Sequence, residues 1–450
     1  MKQGKLCLPQ PERLVGPLLL LLLAERLLLF WQFDLGYTSG SDDIAYIQSG
    51  LLFAKTGMIS IWGPYPSAMI MPGMPVLIGL FSLAFGEGSG LMLALRVLWC
   101  LMGTATAWVV YKTGKLASNA WGGLLAAAGF LTPNMAWMNH VILTETPYLL
   151  FFSLCLYYTL RLGERVTRRD VAGYVLSFVA ALLFRPNITA VAVFTAAWLM
   201  YKNPKALRML TPPLLLGALL FLLPWSLRNY RRFGTPAPLG YGAGNPLLLG
   251  TYQGEGYPTD GELDYETNVA AVMRERYAAY YGEENPVSGE TADYLQKFDP
   301  RGPVRDVKYA QYLSLQADGI QARYRMREWF RRDPKGFLKS YLLIKPRWML
   351  NWAWAWESAY HVPYEALHRL SQANMLLCVL ALGLSILLRR SRETLLFLTA
   401  VYVISVYIYA TAFVTDRYAS TLMGLRYLIA GIGLSLLPEL RHRLRRSEQG

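Results

Sequence analysis

The stretch from Leu14 to Phe33, LVGPLLLLLLAERLLLFWQF, is long enough to cross a hydrocarbon core of roughly 30 Å. Within that core a backbone can satisfy its own polar groups only by coiling, so the run must be helical. Similar runs recur almost to the C-terminus. Spanning helices are expected at 14–33, 90–111, 118–138, 141–160, 171–184, 186–201, 209–227, 370–388, 394–413 and 418–438. The chain is therefore an all-α polytopic membrane protein of about ten spans, and a composition of 54% hydrophobic against 16% charged residues agrees. No small-residue cleavage site follows the first run, so it is expected to be retained as a span rather than removed as a signal peptide. The four cysteines are far apart with no CxxC pair, which indicates neither a disulfide framework nor a zinc knuckle.

A formal charge of +14 would suit nucleic acid, but its placement excludes that partner. With the N-terminus inside, the short inner segments carry Lys112 and Lys115, then Arg161, Arg165, Arg168 and Arg169, then Lys202, Lys205 and Arg208. Arg389, Arg390, Arg392 and the tail arginines from Arg441 to Arg446 continue the series. Such alternation is the positive-inside bias of a cell-membrane protein. Met71 to Phe85 is apolar but short and opens with two prolines. If it crossed, every later basic loop would invert, so it is expected to lie at the outer interface.

Three parts follow. Residues 1–227 form an N-terminal membrane module whose first external loop is 34–89, 228–369 an external region, and 370–450 the last spans with a basic cytoplasmic tail. Weak helical patterning runs from Arg305 to Trp329, and FLKSYLLIKPRWMLNWAWAW, mixing Lys, Arg and Trp, suits an interfacial helix.

The chemistry gathers on the outer side. SGSDDIAYIQSG places Asp42 and Asp43 just after the first span, where Ser41 is expected to cap a short helix and acids in the first turn favour its dipole. On that helix Asp42, Tyr46 and Ser49 share a face, and an amphipathic helix would turn that face toward a cavity. Glu145 lies just inside the outer end of a span, where an ionisable group is costly and by default functional; an interhelical hydrogen bond is its plain structural role. Arg185 at the outer boundary reads as a snorkelling arginine. Arg228, Asn229, Arg231 and Arg232, with Asp416, Arg417 and Tyr418, stand outside against the positive-inside preference. Guanidinium forks there need an anionic partner, of which a lipid phosphate is the obvious one.

An acid that takes a proton, arginines that hold a phosphate and an apolar wall together describe transfer from a lipid-phosphate carrier. SDDIAY, MPGMPVLIGLF, TETPYLLFF, LLFRPN, PWSLRNYRRFG with its trailing GNPLLLG, and DRYASTLMGL occur here in order and on the same side. In this the sequence resembles the GT-C membrane glycosyltransferases of the protein O-mannosyltransferase and aminoarabinose-transferase type, over most of the chain except much of 255–335. The resemblance implies a GT-C bundle that takes a sugar from a polyprenyl-phosphate donor on the outer leaflet and gives it to an envelope acceptor. It maps the base to Asp42; Asp43 stands where many relatives have Glu, and Tyr46 matches the family's Tyr. Asp42 and Asp43 are the catalytic candidates; from their place on the outer side, Tyr46, Glu145, Arg228, Asn229, Arg417 and Tyr418 are expected to bind the donor phosphate or substrate. No cofactor is certain, and whether a divalent metal ion joins Asp42 or Asp43 to Glu145 is left open; Glu145 stands where relatives often carry Asp, which weakens a metal role. No extra domain of the eukaryotic mannosyltransferases is recognisable, which favours a bacterial envelope enzyme.

Two other classes compete. A transporter or flippase of lipid-linked saccharides needs midplane charges and an inverted repeat; only Glu25 and Arg26 sit deep in a span, and no repeat is visible. A non-catalytic assembly protein needs no acid in the first loop.

Overall fold

The computed structural model describes residues 10–62, 66–233, 236–273, 275, 310–351 and 357–447. No strand occurs among them. The helices are α1 (Pro11–Gln32), α2 (Asp42–Thr56), α3 (Gly73–Phe85), α4 (Ser89–Ala117), α5 (Ala120–Ala128), α6 (Pro133–Met138), α7 (Glu145–Glu164), α8 (Arg168–Phe184), α9 (Ile188–Lys202), α10 (Pro204–Phe233) and α11 (Gly244–Gly250). There follow α12 (Ala310–Arg332), α13 (Pro334–Lys339), α14 (Lys345–Asn351), α15 (Tyr364–Leu388), α16 (Arg392–Ala410), α17 (Asp416–Ser420), α18 (Met423–Leu434) and α19 (Leu437–Ser447).

Among the described residues six segments are long and apolar enough to cross a membrane: α1, α4, α10, α15, α16 and Met423–Arg446. α10 shows what its surface meets, because Leu215, Leu219, Leu220 and Leu223 are all exposed. In water such a leucine face would be an association site; here it is the face a bilayer covers.

The expected span at 118–138 is not one helix. α5 stops at Gly129, whose Cβ would stand 2.5 Å from the Tyr427 ring, and the chain restarts at Pro133 as the buried α6. Close approach of α18 requires the glycine, and a proline suits the first turn of the next helix. Helix α3 has 13 residues, about 20 Å of rise and too short to span. It packs on α2, where a Cβ on Gly50 would lie 2.4 Å from Ile78 Cγ2.

Turns tie the basic ends of the helices together. Lys115 pairs with Glu12 at 3.1 Å, Ser391 donates to Ala117 O at 2.8 Å, and Arg443 donates to Leu388 O at 3.1 Å. At the other end a second apolar core forms, in which Ile59 and Ala68 of the first loop meet Trp225, Phe233, Tyr241, Leu315 and Tyr324. Tyr241 locks the loop in register, with its N–H donating to Ala68 O and its hydroxyl accepting from Ala68 N–H, both at 3.0 Å.

The patterned stretch expected from Arg305 to Trp329 forms α12 from Ala310 onward, and residues 305–309 lie outside the described set. The expected interfacial helix runs from α13 through a π turn at Ser340–Ile344 into α14. It turns Leu342 and Leu343 outward, and Tyr407 of α16 donates to Leu342 O at 3.0 Å. Trp352, Trp354 and Trp356, part of the same expectation, also lie outside the described residues.

Candidate active site

Loops at one end of the bundle bring the starts of α2, α7 and α17 and the end of α8 to a single cavity of about 800 Å³. That falls in the usual range for ligand sites, roughly 300–1,000 Å³. Asp42, Tyr46, Arg185, Arg417 and Tyr418 form its polar end. Met69, Ile70, Phe184, Val193, Leu247 and Ile408 supply an apolar wall.

Asp42 occupies the first turn of α2, where the amide dipoles favour a carboxylate. One of its oxygens accepts from Arg417 Nη1 at 2.6 Å, and about a third of its side chain (32%) stays open to the cavity. Asp43 points the other way. It is buried and accepts the Ser39 N–H at 2.6 Å and the Ser41 N–H at 3.1 Å, fixing the turn that leads into the helix. The expected Ser41 cap is thereby corrected, because the Ser41 hydroxyl makes no capping bond and Asp43 ties down the loop instead. Tyr46 lies one turn after Asp42 on the same face, and burial, reinforced by the Asp42 charge, holds its phenol well above the ordinary value. It is a neutral hydroxyl throughout the physiological range.

Glu145 sits behind this surface and is wholly buried. Its carboxylate accepts from Arg417 Nε at 2.5 Å and is ion-paired with Arg185. Arg185 also donates to Thr144 Oγ1 at 2.9 Å and lies over the Tyr418 ring, 5.6 Å from its centroid. Snorkelling, expected for Arg185, is therefore corrected: its guanidinium turns inward to a carboxylate. The signal was present in the sequence, since a buried Glu145 needs a cation at the same depth and Arg185 is the arginine at the outer end of the following helix.

Arg417 bridges Asp42 and Glu145, so the network carries two carboxylates and two guanidinium groups. Such pairing is what keeps buried charges tolerable. A cation has little to gain there. Glu145 already faces two positive groups, Asp43 accepts two backbone N–H bonds, and no cluster of three acidic, His or Cys side chains exists among the described residues. The set Asp42, Asp43 and Glu145 does not fit a divalent ion in this arrangement.

Two further sequence candidates fall elsewhere. Arg228 does not line the cavity: it donates to Ser67 O at 2.6 Å, Ile59 O at 3.1 Å and Asn229 Oδ1 at 2.8 Å. Asn229 in turn donates to Ala237 O at 2.8 Å. These side chains staple the first loop to the end of α10, with both terminal nitrogens of the Arg228 guanidinium bonded to carbonyl or amide oxygens.

No protein-family model matches this sequence, and no curated protein sequence matches it. Among solved structures, the chain is similar to the archaeal oligosaccharyltransferase AglB from Archaeoglobus fulgidus in complex with an inhibitory peptide and a dolichol-phosphate. The TM-score is 0.56 at 11% identity, over 98% of this chain and 51% of that one. The apo form of the Archaeoglobus fulgidus oligosaccharyltransferase gives 0.56 at 13% identity, over 97% and 52%. ArnT from Cupriavidus metallidurans, bound to undecaprenyl phosphate, is 15% identical with a TM-score of 0.36, over 95% and 77%. The chain spans about half the length of AglB. At such identities the likeness is one of fold. This chain shares a helical-bundle fold with that oligosaccharyltransferase over about half of the latter's length.

Proposed function

We propose that this chain is a membrane glycosyltransferase, moving a sugar from a polyprenyl-phosphate-linked donor to an envelope acceptor on the outer face of the cell membrane. The observation that carries this reading is the cavity in which a partly open Asp42 carboxylate stands beside Arg417 and Arg185 and above an apolar wall. The GT-C-type bundle it shares with AglB, a protein described with a dolichol-phosphate, supports the same class of carrier.

The chemistry is a single displacement. The acceptor oxygen attacks the anomeric carbon while its proton passes to Asp42, because a hydroxyl is a poor nucleophile until a base within hydrogen-bond reach removes that proton. The bond from the anomeric carbon to the phosphate oxygen breaks, its electron pair stays on the phosphate, and configuration inverts. Arg417 and Arg185 face the leaving phosphate and stabilise the charge it gains, so no general acid is needed. The apolar wall receives the first isoprene units.

Arg417 links binding to the base. Donor phosphate competes with Asp42 for the guanidinium, and a carboxylate released from its ion pair is a better proton acceptor. Tyr46, a neutral hydroxyl beside Asp42, orients the acceptor. Arg228 and Asn229 act through the loop they hold and do not touch the donor.

The test is transfer by the purified full chain in liposomes, supplied with a panel of polyprenyl-phosphate sugars and with envelope extract as acceptor. Acceptor-dependent release of free polyprenyl phosphate is expected. Movement of the intact lipid-linked sugar across the bilayer without release would sink the enzyme reading in favour of a transporter. Sidedness is tested by single cysteines in intact cells. An impermeant reagent should label position 87 and not position 115, and the reverse result would overturn the outer placement of 34–89.

A further inference from the structure

A second cavity lies inside the bundle, away from Asp42, between α5, α15 and α18. Its volume is about 250 Å³, below the roughly 300–1,000 Å³ of drug-sized ligand sites, so it admits a chain rather than a whole amphiphile. Leu125 and Leu370 stand at its edges, 38% and 50% exposed; Glu365, Arg369 and Gln372 are exposed beside Leu370, and the outward residues Leu376, Val379 and Leu380 follow further along α15. The opening therefore lies where polar side chains of α15 give way to its apolar face, the level at which a lipid's ester groups meet its hydrocarbon.

Its lining is not wholly apolar. Asn134 is only 4% exposed, lines the cavity, and its side-chain amide makes no hydrogen bond among the described residues. An amide turned into a cavity without a protein partner favours an occupant that can accept from it. Asn374 presents a second amide. Its Oδ1 accepts from Arg426 Nε at 3.1 Å, which fixes the flip and leaves its NH₂ as the free end. Both groups are neutral donors. The nearby charge is already spent, because Arg426 does not line the cavity and donates to Ser371 Oγ at 3.1 Å, Ser371 O and Leu350 O as well.

From this we infer that the cavity is a binding site for an acyl chain of a membrane glycerophospholipid, with the acyl ester carbonyl accepting from Asn134 and Asn374. Among the described residues no Lys or Arg lines the cavity, so nothing there calls for an anionic headgroup, and a purely apolar chain would leave both amides unpaired. The ester is the neutral acceptor a phospholipid carries at the top of its hydrocarbon. The inference is independent of the glycosyltransferase reading, since it uses none of that site's residues.

The experiment uses the intact chain in nanodiscs with photoreactive phospholipids whose diazirine lies near the glycerol end of one acyl chain. Crosslinked peptides are mapped by mass spectrometry, with a diester probe compared against the matching diether. Labelling should concentrate in peptides spanning 125–134, 367–377 and 423–434. The diester should label about two- to tenfold more than the diether, the ratio that one or two hydrogen bonds supply. Ala430→Trp fills the cavity and should abolish labelling, while Asn134→Leu, close in volume, should bring the diester down to the diether level. Equal labelling by diester and diether in the wild-type chain would overturn the ester assignment without depending on how any variant folds. Labelling of these peptides by a photoreactive polyprenyl phosphate, with none from phospholipid, would assign the cavity to a prenyl carrier and end the proposal.

Discussion

Arg417 and Arg426 belong to the same C-terminal segment, and both are buried. Arg426 gives its guanidinium to an amide oxygen, a hydroxyl and carbonyls, and so fastens α15 to α18. Arg417 gives its own to two carboxylates, one of which remains open to a cavity. Burial alone does not distinguish the two. What separates a fastener from a working group here is the charge of its partners and the presence of space beside them. Arg228 falls on the fastener side, despite standing where the sequence suggested a phosphate ligand.

The largest expected effect lies at Asp42. Asp42→Asn keeps shape but cannot take the proton, and turnover of a polyprenyl-phosphate sugar should fall by about 10² to 10⁴-fold with little change in thermal midpoint. Near-wild-type turnover would reduce Asp42 to a partner of Arg417 and erase the distinction drawn above.

Arg417→Gln and Arg426→Gln test the pair directly. The first leaves buried Glu145 with a single cation and should cost about 3–5 kcal/mol of stability, together with a raised KM for donor. The second strands neutral acceptors and should cost about 1–3 kcal/mol, with donor KM unchanged in the folded fraction. A donor KM that moves with Arg426→Gln and stays put with Arg417→Gln would reverse the assignment.

A smaller effect is expected at Arg228. Arg228→Lys keeps the charge and loses the fork that holds Ile59 O and Ser67 O, so stability should drop by about 1 kcal/mol and donor KM should stay near wild type. If donor KM rises at unchanged stability, Arg228 is a phosphate ligand after all.

The last expected effect appears only as a function of pH, at Lys345, whose side chain is enclosed beside the Tyr341 ring and donates to Gly250 O at 3.0 Å. Burial pushes this amine down to about 7 from its ordinary 10.5. The folded state therefore binds fewer protons than the unfolded state between those values, and stability falls as pH drops from 10.5 toward 7, with the full penalty present below 7. Lys345→Met should gain on the wild type in thermal midpoint as pH is lowered from 9 to 6. A difference that stays flat across that interval would show that the amine keeps its charge inside the fold.

The bundle was legible because apolar runs of span length admit few alternatives, and the basic ends announce which turns lie together. What the runs conceal is where a crossing breaks. Ala120 to Met138 is largely apolar, and the packing of Gly129 on Tyr427, with Pro133 opening the next helix, explains the interruption. The polar end of the cavity was half legible. Asp42 and Tyr46 follow from helical spacing, and Arg417 and Tyr418 from sidedness. Arg185 and Arg228 exchanged roles because an arginine's sequence neighbourhood reports its depth and not its partner. The need of a buried Glu145 for a cation at the same depth pointed to Arg185, whereas only the fold reveals that carbonyls of the first loop lie under Arg228.

Because a single guanidinium spans Asp42 and Glu145, the two carboxylates form one thermodynamic unit. Substitutions at them will not combine as independent losses, since once Arg417 is freed from one acid it tightens on the other, and a double-mutant cycle should return a sizeable coupling energy, of order 0.5–3 kcal/mol. Sequence drift at one position is then constrained by the identity of the other: an Asp42 replacement tolerated beside one residue at 145 will fail beside another. The base and its buried anchor must change together or not at all.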